Sequence, residues 1–132
     1  MFRHRRALPA LAAAGLLLTG CGGSDPPDRY ALEPTRDCLA DAGVATSTEG
    51  LDFVASTALG GALIARPDGN RVVLAFGESA ADAIRTVRAY RRFAGERIPL
   101  QDLLFQERNT VLLWEEPPTE QQARTVGGCL EG

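Results

Sequence analysis

The stretch RVVLAFG, residues 71–77, limits the fold more than any other part of the chain. Val72 to Phe76 are apolar on both alternating faces, a pattern that predicts a strand in the middle of a sheet. Just before it stand ALIAR (62–66) and Pro67-Asp68-Gly69-Asn70. Proline presets one turn dihedral and Asp-Gly tolerates positive φ, so the two apolar runs predict a hairpin. After it, SAADAIRTVRAYRRFA (79–94) has helical spacing, with Ser79 as cap and Ala80, Ala83, Ile84, Val87 and Ala94 as the apolar stripe.

The same order recurs downstream. LLFQ (103–106) and TVLLW (110–114) flank Glu107-Arg108-Asn109 as a second hairpin, and a helix follows with Thr119 and Gln122 in a capping box. Its apolar face reads Ala123, Val126 and Leu130. Sliding the chain by 39 residues lays 70–90 over 109–129 without a gap. Asn70 meets Asn109, Val72 meets Val111, Leu74 meets Leu113, and Arg85-Thr86-Val87 meets Arg124-Thr125-Val126. A ββα unit cannot bury its apolar face alone, so two copies would share a core. The predicted class is therefore α+β. It consists of a four-stranded, mainly antiparallel sheet from two ββα units, with helices packed on one face and Val87 equivalent to Val126. Upstream, TRDCLADAG (35–43) predicts a short helix capped by Thr35 and stopped by Gly43. LDFVASTALGG (51–61) keeps helical spacing but is short and partly β-branched, so helix and strand both stay open.

Composition removes several chemistries. All 14 basic residues are arginine, and the single histidine is His4. Without lysine there is no Schiff-base amine and no phosphate-loop lysine. Beyond residue 20 the chain carries 11 arginines against 17 acids, a net charge of −6 that disfavours nucleic acid as a partner.

The N-terminus reads in three parts: MFRHRR is basic, ALPALAAAGLLL is apolar, and LTGC, which shares Leu18 with that run, ends it. Twelve apolar residues are too few to span a bilayer and have the proportions of a secretory signal. Leu18-Thr19-Gly20-Cys21 resembles the lipobox of bacterial lipoproteins. The resemblance covers the first 21 residues. It implies cleavage before Cys21, a diacylglycerol thioether on its sulfur and, in many bacteria, acylation of the new amino group. Two or three acyl chains hold a protein on a membrane where one would not. The implied organisation is a signal peptide (1–20), a lipidated cysteine with a Gly- and Pro-rich tether (21–33) and one globular domain (34–132). The implied location is the outer face of the cytoplasmic membrane, or an outer membrane where the cell has one. Gly22 stands where an inner-membrane retention aspartate would be.

With Cys21 assigned to lipid, Cys38 and Cys129 remain, both on predicted helices. An oxidising compartment makes a disulfide between them the natural reading, closing a loop of about 91 residues. Two buried free thiols and a redox pair are the alternatives. The redox pair lacks a Cys-x-x-Cys spacing and any His or Lys to lower a thiol pKa.

No catalytic constellation is legible. Glu115-Glu116 is the one paired carboxylate, and adjacent strand residues point to opposite faces. No acidic stretch has EF-hand spacing, and no glycine-rich loop joins a strand to a helix in a nucleotide-binding pattern, so neither metal nor cofactor is expected. Binding is the class that remains. Arg85, Arg88 and Arg92, with Arg91 nearby, form the densest basic patch. They read either as a contact for an anionic partner or as a solvated flank paired to Glu78 and Asp82. Trp114 reads either as a partner anchor or as core. The expectation is a non-catalytic, membrane-tethered envelope lipoprotein that binds an envelope protein or anionic polymer. The alternative is a small-molecule or ion binder serving a transporter or enzyme.

Overall fold

The computed structural model describes residues 29–132. The basic segment, the apolar run, the lipobox with Cys21 and the tether up to Asp28 lie outside the described residues. Four helices are seen: α1 (Leu32–Asp41), α2 (Phe53–Ser56), α3 (Ala80–Ala94) and α4 (Glu120–Glu131). Five strands, β1 (Thr46–Ser47), β2 (Ala62–Ala65), β3 (Val72–Phe76), β4 (Leu104–Glu107) and β5 (Thr110–Trp114), form one antiparallel sheet in the order β1-β2-β3-β5-β4. No helix among the described residues is long and apolar enough to cross a membrane.

Both hairpins form where the sequence places them. Asp68 and Arg108 take positive φ (49° and 53°) at the two turns. β3 is central and wholly buried. Its pairing with β2 sets Leu63 opposite Leu74 and Ile64 opposite Val73, so each face of the ribbon is apolar. This overturns the expectation of helices on one face, because that arrangement would leave Ile64, Val73 and Ala75 against water. Instead the sheet is covered on both sides. Leu63, Val72, Leu74, Phe76, Leu112 and Trp114 pack with Leu39, Val126 and Leu130 of α1 and α4. Ile64, Val73, Ala75 and Val111 pack with Val54 and Ala55 of α2 and Ala83 and Tyr90 of α3. The sheet also has a fifth strand, the two-residue β1 paired with β2, where four strands were expected.

The two ββα units are therefore not equivalent in space. Val72 opposes Trp114 and so shares its face, whereas Val111 points to the other. α3 lies over the Val111 face and α4 over the Val72 face. Val126 belongs to one core and Val87 packs against the other, so they are not equivalent contacts. Rotating one unit onto the other superposes the strands but leaves the helices on opposite sides. The units share element order and differ in hand.

Local details shift as well. α1 begins at Leu32, with Ala31 rather than Thr35 at its cap; Thr35 is buried inside the helix and its hydroxyl donates to the Ala31 carbonyl. Residues 29–33, read from sequence as tether, thus belong to the folded domain. Residues 51–61 contain one helical turn, capped by the Asp52 carboxylate. Ala80, Ile84 and Ala123 face solvent, and Asp82, Tyr90 and Gln122 are buried instead. Thr119 and Gln122 form the expected capping box. Cys38 and Cys129 form a disulfide, Cα–Cα 5.4 Å, that staples α1 to α4 across 91 residues of chain.

Asn70 and Asn109 have matching roles. The Asn109 side chain accepts from the Tyr30 N–H (2.7 Å) and donates to the carbonyls of Tyr30 and Gly77 (2.8 Å each). The Asn70 side chain accepts from the Glu116 N–H (3.2 Å) and donates to the Glu116 carbonyl and Gln122 Oε1 (3.0 Å each). Each amide clamps both backbone groups of one residue in a crossing segment, as a sheet neighbour would. Gly77 allows the first clamp, since a Cβ there would stand 2.7 Å from the Asp82 Cβ.

Candidate functional site

A large concavity opens where β5 ends and α3 runs out. Its volume is about 830 Å³, and its walls are mostly apolar. α3 supplies Tyr90, Phe93 and Ala94, α2 supplies Phe53 and Val54, and β5 supplies Leu113 and Trp114. The connection from α3 to β4 adds Ile98, Pro99, Leu100 and Leu103. Phe53 and Phe93 form the lip, meeting edge to face with ring centroids 6.1 Å apart while remaining 72% and 67% exposed. They place two exposed aromatic side chains side by side at the opening.

A polar hinge holds α2 against α3 at the cleft wall. The Tyr90 hydroxyl donates to both oxygens of Asp52 (2.9 and 3.1 Å), and Asp52 Oδ1 also accepts from the Ala55 N–H (2.8 Å). Burial, then the Asp52 charge beside it, pushes the Tyr90 phenol far above its ordinary pKa of 10, so it stays a neutral donor. Arg71, whose guanidinium donates to the Gly50 carbonyl (3.2 Å), lies on the same wall.

Two smaller depressions adjoin the cleft and share no residue with each other. One takes Arg97, Ile98, Pro99 and Leu100 from the cleft wall and adds Arg91, Gly95 and Gln101. The other takes Arg71, Glu115, Glu116 and Pro117 and adds Asp68, Asn70 and Gln122 among others. Arg97 and Asp102 of the connection both line the cleft, and at the end of β5 Glu115 and Glu116 outnumber Arg71.

The residues singled out from sequence fall as follows. Trp114 is 3% exposed and belongs to the core, and its ring contributes to the cleft wall from within. Arg85 is paired with Asp82, the carboxylate that also accepts from the Glu78 N–H at the start of α3. That backbone bond, with Arg85 beside it, holds the Asp82 carboxyl below its ordinary value. Arg88 and Arg92 are exposed on the outer face of α3. Glu115 and Glu116 lie beyond the end of β5 and both line the cleft, so their separation onto two faces does not hold past the strand. Among the described residues no three His, Cys, Asp or Glu side chains group as a metal site. Sequence reasoning did not find Phe53, Phe93, Tyr90 or Ile98. Their signal was a run of aromatic and apolar residues near element ends, which also describes ordinary core. The chain gave no match to any protein-family model, curated protein or solved structure with which it was compared.

Proposed function

We propose that this chain is a lipid-anchored protein of the bacterial envelope whose domain is a non-catalytic binding module, with the apolar cleft as its ligand site. The anchor rests on the resemblance of Leu18-Thr19-Gly20-Cys21 to a lipobox behind a basic and apolar leader. The binding role rests on the cleft. Its 830 Å³ lies within the roughly 300–1,000 Å³ of small-molecule sites, and apolar walls with a few placed polar groups are their usual construction. This favours a small apolar ligand over docking through the arginine flank, where Arg85 is already committed to Asp82. A chain with no lysine, and with no histidine after His4, leaves its carboxylates as the general-base candidates.

The test is a melting-shift screen on the chain from residue 21 with Cys21→Ser, which keeps every described residue. A ligand at a hundred times its Kd stabilises a protein by about 2.7 kcal/mol. In a domain of this size that is a rise on the order of 10 °C. The rise should disappear in a Phe93→Asp variant. A screen of apolar small molecules in which none raises the melting temperature would refute the cleft as a site. For the anchor, the mass of the N-terminal peptide from membrane-extracted protein should carry a diacylglycerol on Cys21. An unmodified cysteine, or a retained leader, would refute it.

A further inference from the structure

Resting on that reading of the cleft, we infer that its ligand is an anionic amphiphile: an apolar chain in the cleft and an acidic head, phosphate or carboxylate, held by Arg91 and Arg97. The cleft and the basic depression share the wall Arg97–Leu100, so a chain lying against Leu100 and Ile98 brings its polar end beside the arginines. Arg91 and Arg97 are the charged groups of that depression among the described residues. A guanidinium presents a fork of donors that matches an oxyanion.

The wider charge distribution points the same way. Residues 82–102 hold five arginines (85, 88, 91, 92 and 97) against three acids, Asp82, Glu96 and Asp102, of which Asp82 is paired with Arg85. The other 83 residues of 29–132 hold six arginines against 12 acids. A basic end on an acidic domain orients an approaching anion toward that end and repels it elsewhere. Where the cleft meets the end of β5, Glu115 and Glu116 outnumber Arg71, which disfavours an anion there. The exposed lip of Phe53 and Phe93 gives the chain apolar contact as it enters.

Trp114 is the only tryptophan and lines the cleft, so its fluorescence reports occupancy. The Cys21→Ser chain is titrated with dodecyl phosphate, uncharged dodecyl maltoside and dodecyltrimethylammonium, each below its micelle concentration. A charge-assisted pair predicts phosphate binding at least about tenfold tighter than the other two. Shortening the chain from dodecyl to decyl should weaken it by about fifteenfold. Replacing both arginines (Arg91→Gln with Arg97→Gln) should reduce the phosphate to the affinity of the maltoside. In the unsubstituted chain, added salt should weaken the phosphate alone. Equal affinity for phosphate and maltoside, or tightest binding of the ammonium, would overturn the assignment of the head while the cleft remains a site. Binding of none of the three would overturn the cleft and the amphiphile together.

Discussion

Replacing Asn109 by alanine should release the N-terminal end of the domain from the sheet. Asn109 is 1% exposed and makes three side-chain hydrogen bonds of 2.7–2.8 Å, two of them to the backbone of Tyr30. A buried hydrogen bond contributes about 1 kcal/mol net, and an orphaned buried group costs about 1–3 kcal/mol. Three lost bonds therefore amount to about 3 kcal/mol if Tyr30 finds water, and more if it stays buried. Against a domain stability of roughly 5–15 kcal/mol, that is a large fraction. It corresponds to a fall in Tm of roughly 15 °C. Urea unfolding followed by far-UV circular dichroism measures the loss, and hydrogen exchange at the Tyr30 amide locates it. Asn109→Asp sharpens the test. It keeps an acceptor for the Tyr30 N–H but turns a carboxylate toward two carbonyl oxygens, so it should be at least as damaging at neutral pH. It should recover partly as pH falls, beginning above the ordinary carboxylate value, because burial and the two carbonyls favour the protonated acid, which regains one donor. A loss under about 1 kcal/mol for the alanine variant, or an aspartate variant as stable as the parent at pH 7, would refute the clamp.

Other expectations follow from single features. The Thr110 hydroxyl is buried without a partner, so Thr110→Val should raise the urea midpoint by about 1 kcal/mol of stability; a drop would mean that the hydroxyl is satisfied in solution. Removing both Cys38 and Cys129 as alanines should cost up to about 4.5 kcal/mol by the loop-entropy relation, and reductant should then leave the midpoint unmoved. The Asp82 carboxyl sits below its ordinary value of 3.8 in the folded state, so its contribution is fully present above that value and is lost as pH falls through the lower folded-state pKa. The stability gap between the parent and Asp82→Asn should accordingly be constant near neutrality and shrink in acid. A gap that widens below pH 4 would contradict the sign.

Much of the local structure was legible because it depends on neighbours in the chain. The hairpin turns, the Ser79 cap and the Thr119–Gln122 box all read correctly, since each is a contact within a few residues. α2 was ambiguous for the same kind of reason: a single turn leaves too short a pattern to distinguish from a strand. Periodicity located α3 and α4 but misjudged their rotation. Tyr90 turned inward because its hydroxyl had Asp52 to bond, a partner 38 residues away. The repeat misled in one respect and informed in another. Asn70 and Asn109 do the same work, but Val87 and Val126 pack on opposite sides of the sheet, because the alignment carries element order and not hand.

The sequence by itself determined where the two hairpins form, that β3 is central, which two cysteines remain for each other once Cys21 is set aside, and which catalytic groups the chain lacks. These follow from composition and from patterns of two, three or four residues. Only the tertiary structure decided that the sheet is covered on both faces, that Trp114 is core, and that Phe53, Phe93 and Ile98 gather around one opening beside Arg91 and Arg97. A cleft is the space left between elements after they pack. Its walls come from α2, α3, β5 and a connecting loop, whose mutual placement no local pattern encodes.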